Sequence, residues 1–306
     1  MTGLLALAGL VLLLLGGMAF AAALDSLAAA ALAGRPLGPA LALPFRAGAA
    51  HLARQRGMTE RPDALNLALA PVLYFTLALT GMSVVPLAPG VVLADIPTGI
   101  VLWGACESLT VVAVFLHGWS SNSYLALIGA YRYAAIGLPV MLLSMFVLIA
   151  AALPAESLAV TEIVEAQRGL WFVALQPPGF LLFLALGLAL TLRGPFDYAD
   201  PFDLAGGTKL EVSGPARAAW EAARLAMLVA VATMASAAFL GGYWGPGAPG
   251  PHWLALKVAA VVALLILMDK LIARTPAPRM LSLLWTVLLP LSFLVLAWVG
   301  AWLLWF

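Results

Sequence analysis

Ionisable side chains are scarce along this chain, so the places where they gather are conspicuous. Arg193 to Gly214 reads RGPFDYADPFDLAGGTKLEVSG and holds Asp197, Asp200, Asp203 and Glu211, four of the chain's 14 acidic residues. Arg193 and Lys209 lie among them and Arg217 follows closely. An arginine beside a carboxylate at the edge of hydrocarbon favours the ionised pair, and Arg193 with Asp197 is placed to make one and so fix the loop. Pro195, Pro201 and Gly206-Gly207 exclude a long regular helix here. Phe196 and Phe202 each precede an Asp, which suggests a loop that packs onto something; the plain alternative is a solvated connector. A second kind of chemistry is implied by carboxyls inside apolar runs, which are costly and mark functional positions by default. Glu107 lies within GIVLWGACESLTVVAVFL, where a charge costs about 2.5–3.5 kcal/mol on insertion scales. Its alternative is a carboxyl that burial accommodates without a task. Asp95 sits in LADIPTG at the start of the same run, and Asp269 ends another beside Lys270, where it can simply reach the surface.

The elements that must position these groups follow from composition. Hydrophobic residues make up 64% and charged residues 9%, against about 45–50% and 25% for soluble domains. This is the composition of an all-α polytopic membrane protein, a single integral domain over residues 1–306. Segments near 2–24, 67–88, 100–118, 133–153, 178–192, 222–243, 253–271 and 282–304 are apolar enough to read as eight spans. The first lacks a basic leader and is too long for a signal peptide's apolar core, which favours a retained span. Between the first two, Asp25 to Arg61 reads as a loop with five arginines, Arg35, Arg46, Arg54, Arg56 and Arg61. Phe45, Ala49 and Leu52 share one helical face there, so a short amphipathic helix on the membrane surface competes with an ordinary basic loop.

Basic residues are distributed one-sidedly. The loops after spans one, three, five and seven carry 13 of the 15, including Arg132, while the other side holds Arg168, with Lys257 near a span end. The positive-inside rule then puts those structured loops in the cytoplasm and both termini outside, in a cell's inner (plasma) membrane. One cysteine excludes an internal disulfide or an iron–sulfur site, and three scattered histidines suggest no metal site. No glycine-rich phosphate loop follows a strand, and too little sequence lies outside the membrane for a separate catalytic domain. No internal inverted repeat supports a transporter working alone.

GWSSNSYLALIGAYRYAAIG (118–137), LADIPTG (93–99), the Arg193–Gly214 stretch and GRPLGP (34–39) together resemble one family. It is the quinone-site membrane subunit of respiratory complex I, the H subunit in bacteria, with its relatives in membrane-bound hydrogenases. The resemblance runs from about Asp25 to Arg279 in the same order. It implies a subunit without redox centres of its own in an NADH:quinone oxidoreductase. Quinone would be the bound substrate, with no metal or flavin in this chain. Peripheral redox-arm subunits, other membrane subunits and the bilayer would be its partners, and nucleic acid would not. The acidic loop is too charged and too rich in Pro and Gly to be stable by its own packing, so it is expected to dock on the redox arm. The resemblance also implies that the cytoplasmic loops complete a quinone cavity and that carboxylates begin the polar path coupling reduction to proton translocation; Arg35, Asp95, Arg132, Arg193, Phe196, Asp197, Asp200, Asp203 and Glu211 are the candidates for these roles, and Glu107 joins them on its intramembrane position.

The departures from the family are specific. A glutamate is usual three residues before the arginine of Arg-x-Pro-Phe-Asp, and here that position is Leu190. A Ser-Tyr-Glu segment is usual in span four, and here the region reads GLPVM (137–141). Val212 replaces a tyrosine after Glu211. Glu107 is an additional intramembrane carboxyl that can partly substitute. Two function classes follow: an energy-coupling subunit of a quinone-reducing or hydrogen-evolving complex, or a scaffold anchoring a redox arm without ion translocation.

Overall fold

A computed structural model describes residues 2–57, 59–200 and 207–305. Among these the chain is almost wholly helical. Six helices are long and apolar enough to cross a membrane: Gly3–Leu32, Ala64–Ser83, Gly99–Ser120, Tyr124–Ala155, Gly214–Phe239 and Ala277–Trp305. The other two apolar segments are also helical, as Pro177–Leu190, with 14 residues, and Pro251–Leu271, with 21. The protein is thus a multi-pass membrane protein. We number the helices in chain order: α1 (Thr2–Leu32), α2 (Leu37–Ala40), α3 (Leu43–Ala53), α4 (Ala64–Ser83), α5 (Gly99–Ser120), α6 (Tyr124–Ala152), α7 (Val160–Ala166), α8 (Phe172–Leu175), α9 (Pro177–Leu190), α10 (Gly214–Phe239), α11 (Pro251–Leu271), α12 (Ala277–Leu283) and α13 (Leu289–Trp305). A π-helical turn over Leu284–Leu288 joins the last two.

Three boundaries depart from those expected, for one reason. α1 runs on through Asp25 to Leu32, α6 begins at Tyr124 rather than 133, and α10 at Gly214 rather than 222. Asp25, Arg132, Arg217, Glu221 and Arg224 end the apolar runs, yet a helix needs only its backbone ladder and a place for each charge to go. α3 supplies the short helix expected in the arginine-bearing loop; none of its residues is buried, and Phe45, Ala49 and Leu52 are not covered by the rest of the chain.

α10 is the hub. It packs against α1, α3, α4, α7, α9 and α11, and from Ala226 to Phe239 every residue is buried. Many of those residues are alanines, which let backbones approach closely where apolar burial alone gives no drive between helices in lipid. Gly187 of α9 shows how tight the fit is: a Cβ there would stand 2.5 Å from a methyl of Val231.

The charged stretch is held between α9 and α10. Arg193 N–H reaches back to Leu188 O at 2.9 Å, and Leu192 adopts the left-handed conformation at φ 55°, so the chain turns sharply as α9 ends. Leu192 is fully buried, and its packing offsets about 1–3 kcal/mol of backbone strain. The loop then folds onto α5 and α6. A Cβ on Gly129 would lie 2.5 Å from Ala199 O and 2.9 Å from Thr208 N. Phe196, Ala199, Asp200 and Thr208 are buried, so the described part of the loop is packed by its own chain rather than left for a partner to order, contrary to the expectation from its charge and its Pro and Gly content. Phe202 and Asp203 lie outside the described residues.

Candidate functional site

Two ionic clusters form where the ends of α9 and α11 meet α1 near Asp25 and the early turns of α10. In the first, Arg193 reaches Asp25 of α1 and Asp269 of α11, each at 3.3 Å. Lys270 completes the square, 2.9 Å from Asp25 and 3.1 Å from Asp269. Gly194 N–H donates to Asp269 Oδ1 at 2.7 Å. Two carboxylates and two cations, drawn from three elements, thereby neutralise one another in a region where Arg193 keeps only 11% of its side-chain exposure. Asp269 is not a carboxylate simply reaching the surface; it holds the turn after α9 in place.

The sequence-adjacent pairing of Arg193 with Asp197 is not the one formed. Asp197 is gripped by the fork of Arg274, whose Nε donates at 3.0 Å and whose Nη2 donates to the second oxygen. Bidentate geometry of this kind adds orientation as well as attraction. Tyr198 O–H donates to Thr275 O at 2.6 Å, so the segment after α11 is stapled to the loop twice.

In the second cluster, Asp200 accepts from Thr208 Oγ1 at 2.8 Å and from Lys209 N–H at 3.1 Å. Lys209 Nζ lies 3.9 Å from both Asp200 and Glu221. Burial pushes the Lys209 ammonium below its usual range, the charge of Arg224 adding to the effect against the pull of Asp200 and Glu221. Glu221 also takes Arg217 and Arg224, each at 3.1 Å. Arg224 donates to Leu192 O at 2.8 Å and to Thr191 O at 3.3 Å, closing carbonyls at the end of α9. Asp25, Glu221 and Arg224 are site residues that sequence reasoning misses; their only signal there is a charge at the end of an apolar run.

A cavity of about 1120 Å³ opens between the clusters and α1, α3 and α10. Its lining combines the ionic Asp25, Arg193, Asp197, Asp200, Asp269 and Lys270 with the apolar Leu15, Met18, Phe45, Leu52 and Leu225. A lining that brings ionic and apolar side chains to one cavity suits a ligand with a polar head and an apolar tail.

The other expected residues lie elsewhere. Phe196 is in the core and outside the lining of this cavity. Arg132 is half-buried along α6, and Arg35 is exposed beyond α1; neither lines the cavity. Glu211 accepts from Ser123 Oγ at 2.9 Å, tying the loop to the start of α6. Asp95 is exposed and accepts from Thr161 Oγ1 at 2.9 Å. It precedes α5, whereas the loop packs at the other end of that 22-residue helix, about 33 Å away by helical rise. Glu107 is buried between them, accepting from Trp103 Nε1–H on its own helix and from Ser144 Oγ of α6. Among the described residues, no three His, Cys, Asp or Glu side chains cluster as metal ligands would.

The sequence profile of the NADH dehydrogenase family matches residues 5–300 of this chain. The chain belongs to that family. Its relatives include the NADH-quinone oxidoreductase H subunit 1 of Rhodopseudomonas palustris (strain HaA2), 34% identical over 239 residues, 78% of this chain and 75% of the relative. The corresponding H subunit 2 of Cereibacter sphaeroides (strain ATCC 17029 / ATH 2.4.9) is 36% identical over 243 residues, 78% and 76% of the two chains. The H subunit of Geobacillus kaustophilus (strain HTA426) is 34% identical over 247 residues, 79% and 74%. The likeness expected from GWSSNS and Arg-x-Pro-Phe-Asp is therefore borne out, and these relatives' names do not favour the hydrogenase alternative. This member of the NADH dehydrogenase family carries acidic residues in the loop between α9 and α10 and pairs the loop's arginine across the fold.

Proposed function

We propose that this chain is the H-type membrane subunit of an NADH-quinone oxidoreductase, and that its cavity between α1, α3 and α10 receives the quinone. The observation that carries this is the mixed lining: ionic groups fixed by one another, together with the exposed Phe45 and Leu52 of α3. A quinone ring offers carbonyl acceptors to cations such as Arg193 and Lys270, while an apolar tail gains by covering the α1 and α3 surface. Because Arg193 is held by Asp25 and Asp269 rather than by Asp197, it is a fixed donor in the cavity lining; Asp197 acts by anchoring the segment around Arg274.

The chain supplies the cavity and the coupling path, and the electron-transfer centres belong to the peripheral redox arm. We place the loops around 25–66 and 193–217 in the cytoplasm, with eight crossings and both termini outside an inner membrane, from the one-sided basic residues. The redox arm docks where the loop still presents an apolar side chain outward, at Leu210. The test is Arg193→Lys, Asp197→Asn and Phe45→Ala in the assembled complex, with quinone KM and quinone-site inhibitor sensitivity as readouts. Phe45→Ala is expected to raise KM several-fold with assembly intact. If all three assemble and leave KM and inhibition unchanged, the cavity is not the quinone site.

A further inference from the structure

A second cavity, of about 580 Å³, lies between α1 and α11. These two helices run in the same direction and are tied together where Lys270 meets Asp25 at 2.9 Å. Further back along both, the side chains that could fill the space between them are missing: Gly9, Gly16 and Gly17 line it from α1, Ala255 and Ala259 from α11. Leu87 covers Gly9 and Val229 covers Gly17, but a Cβ on Gly16 would meet nothing within 4 Å. Leu12 and Phe20, also in the lining, stay exposed, so the space is a groove open towards lipid. Among the described residues that line it, His252 alone is polar. It is separate from the larger cavity: Leu15, Met18 and Ala22 line that one, whereas Gly9, Leu13, Gly16 and Phe20 form another stripe of α1 at three- and four-residue spacing.

Size and chemistry select the occupant. The lining runs from Gly9 to Phe20 on α1 and from Pro251 to Val262 on α11, about 16 Å along each helix and half of the roughly 30 Å hydrocarbon thickness. A helix of another subunit crosses the whole thickness, and a length of about 16 Å at a diameter of about 10–12 Å occupies roughly 1,300 Å³ or more, over twice this space. A single hydrocarbon chain is far thinner. Between helices in lipid the gain from filling such a groove is dispersion, recovered when atoms occupy an empty gap. At the mouth, where α11 begins, His252 stands beside Trp253 with ring centres 5.5 Å apart, and an amphipathic indole there marks the level of lipid headgroups. We propose that this groove is a phospholipid site, one acyl chain lying between α1 and α11 and the phosphate meeting the His252 ring N–H. The chain supports α1 along the stripe that does not carry Leu15 and Met18, and so steadies the helix that walls the larger cavity.

The experiment counts, by mass spectrometry, the phospholipids that stay on the intact complex through repeated detergent exchange. Gly16→Leu sends a side chain into the groove without meeting backbone, and is expected to retain one phospholipid fewer per complex than wild type. Ala259→Phe fills the groove from the other wall and is expected to do the same, whereas Gly3→Leu, which lies outside the groove, keeps the wild-type count. His252→Ala leaves the groove open and is expected to release that lipid in at least threefold fewer exchange cycles. A wild-type count in both filling variants overturns the site, and unchanged release from His252→Ala overturns the place given to the phosphate. A photoreactive side chain at Ala255 of the otherwise wild-type complex in phosphatidylethanolamine–phosphatidylglycerol vesicles is expected to crosslink phospholipid. Crosslinking to another subunit instead overturns the proposal, because a protein partner then fills the groove.

Discussion

Neutralising Asp269 isolates what the first ionic cluster contributes. Asp269→Asn preserves shape and an acceptor for the Gly194 N–H, so the 2.7 Å bond that fixes the turn survives. What is lost is the charge that meets Arg193 at 3.3 Å and Lys270 at 3.1 Å. Hydrogen bonds to charged groups contribute about 1.5–3 kcal/mol each. Asp25 remains 3.3 Å from Arg193 and 2.9 Å from Lys270, so neither cation is orphaned and the sum is not reached. The expected cost is about 2 kcal/mol, below the roughly 3–5 kcal/mol of stranding a buried charge outright. Thermal unfolding of the detergent-solubilised complex measures it, in a cycle with Arg193→Met and the double substitution. A coupling energy between about 0.5 and 3 kcal/mol is expected, because the two groups share partners. Salt is expected to change it little, since Asp269 keeps only 15% of its side-chain exposure. A destabilisation under about 0.5 kcal/mol, or one abolished by salt, would show the cluster to be an ordinary surface contact.

Three further outcomes follow from the same geometry. Gly129→Ala puts a Cβ against the Ala199 carbonyl and is expected to cost about 1–3 kcal/mol and free the loop to protease, whereas Gly3→Ala, with open space around it, changes neither. Lys209 has its pKa lowered by burial, so between that value and the ordinary 10.5 the unfolded chain binds more protons than the folded one, and folding stability from this group rises with pH across that window; Lys209→Met is expected to flatten the rise in alkaline unfolding curves. For orientation, Thr208 is buried against Asp200 and unsuited to labelling, so Leu210→Cys and Leu158→Cys, both exposed, are the pair to compare with an impermeant thiol reagent on intact cells, Cys106 itself being buried. Leu158→Cys is expected to label and Leu210→Cys not; the reverse pattern would invert the topology.

The sequence makes the helices legible and most of the cluster illegible, for separable reasons. Hydropathy reports where a segment would meet lipid, so it locates α4, α5 and α11 to within a few residues. It misplaces the starts of α6 and α10, where Arg132 and Arg217 interrupt the apolar run but not the backbone ladder. Arg193 stands out by type and position, yet its partners lie 168 and 76 residues away, and no local rule selects Asp25 and Asp269 over the neighbouring Asp197. Glu107 can be singled out by cost alone, and Trp103 is within reach at i−4, but Ser144 belongs to another helix and becomes a partner only when α5 and α6 pack.

Lys257 is one basic residue that no carboxylate among the described residues answers. It lies on α11 with its ammonium over the Trp171 ring, and donates to Gly242 O at 3.0 Å and to the carbonyls of Leu240 and Trp244. Those acceptors exist as a set only after α10 has ended and the chain has turned over Gly241 and Gly242. Until then the seventh apolar segment carries a bare cation near its entrance, which apolar surroundings do not tolerate. The packing of α11 is therefore coupled to the turn that ends α10, since the three carbonyl oxygens that receive the Lys257 ammonium come together in that turn.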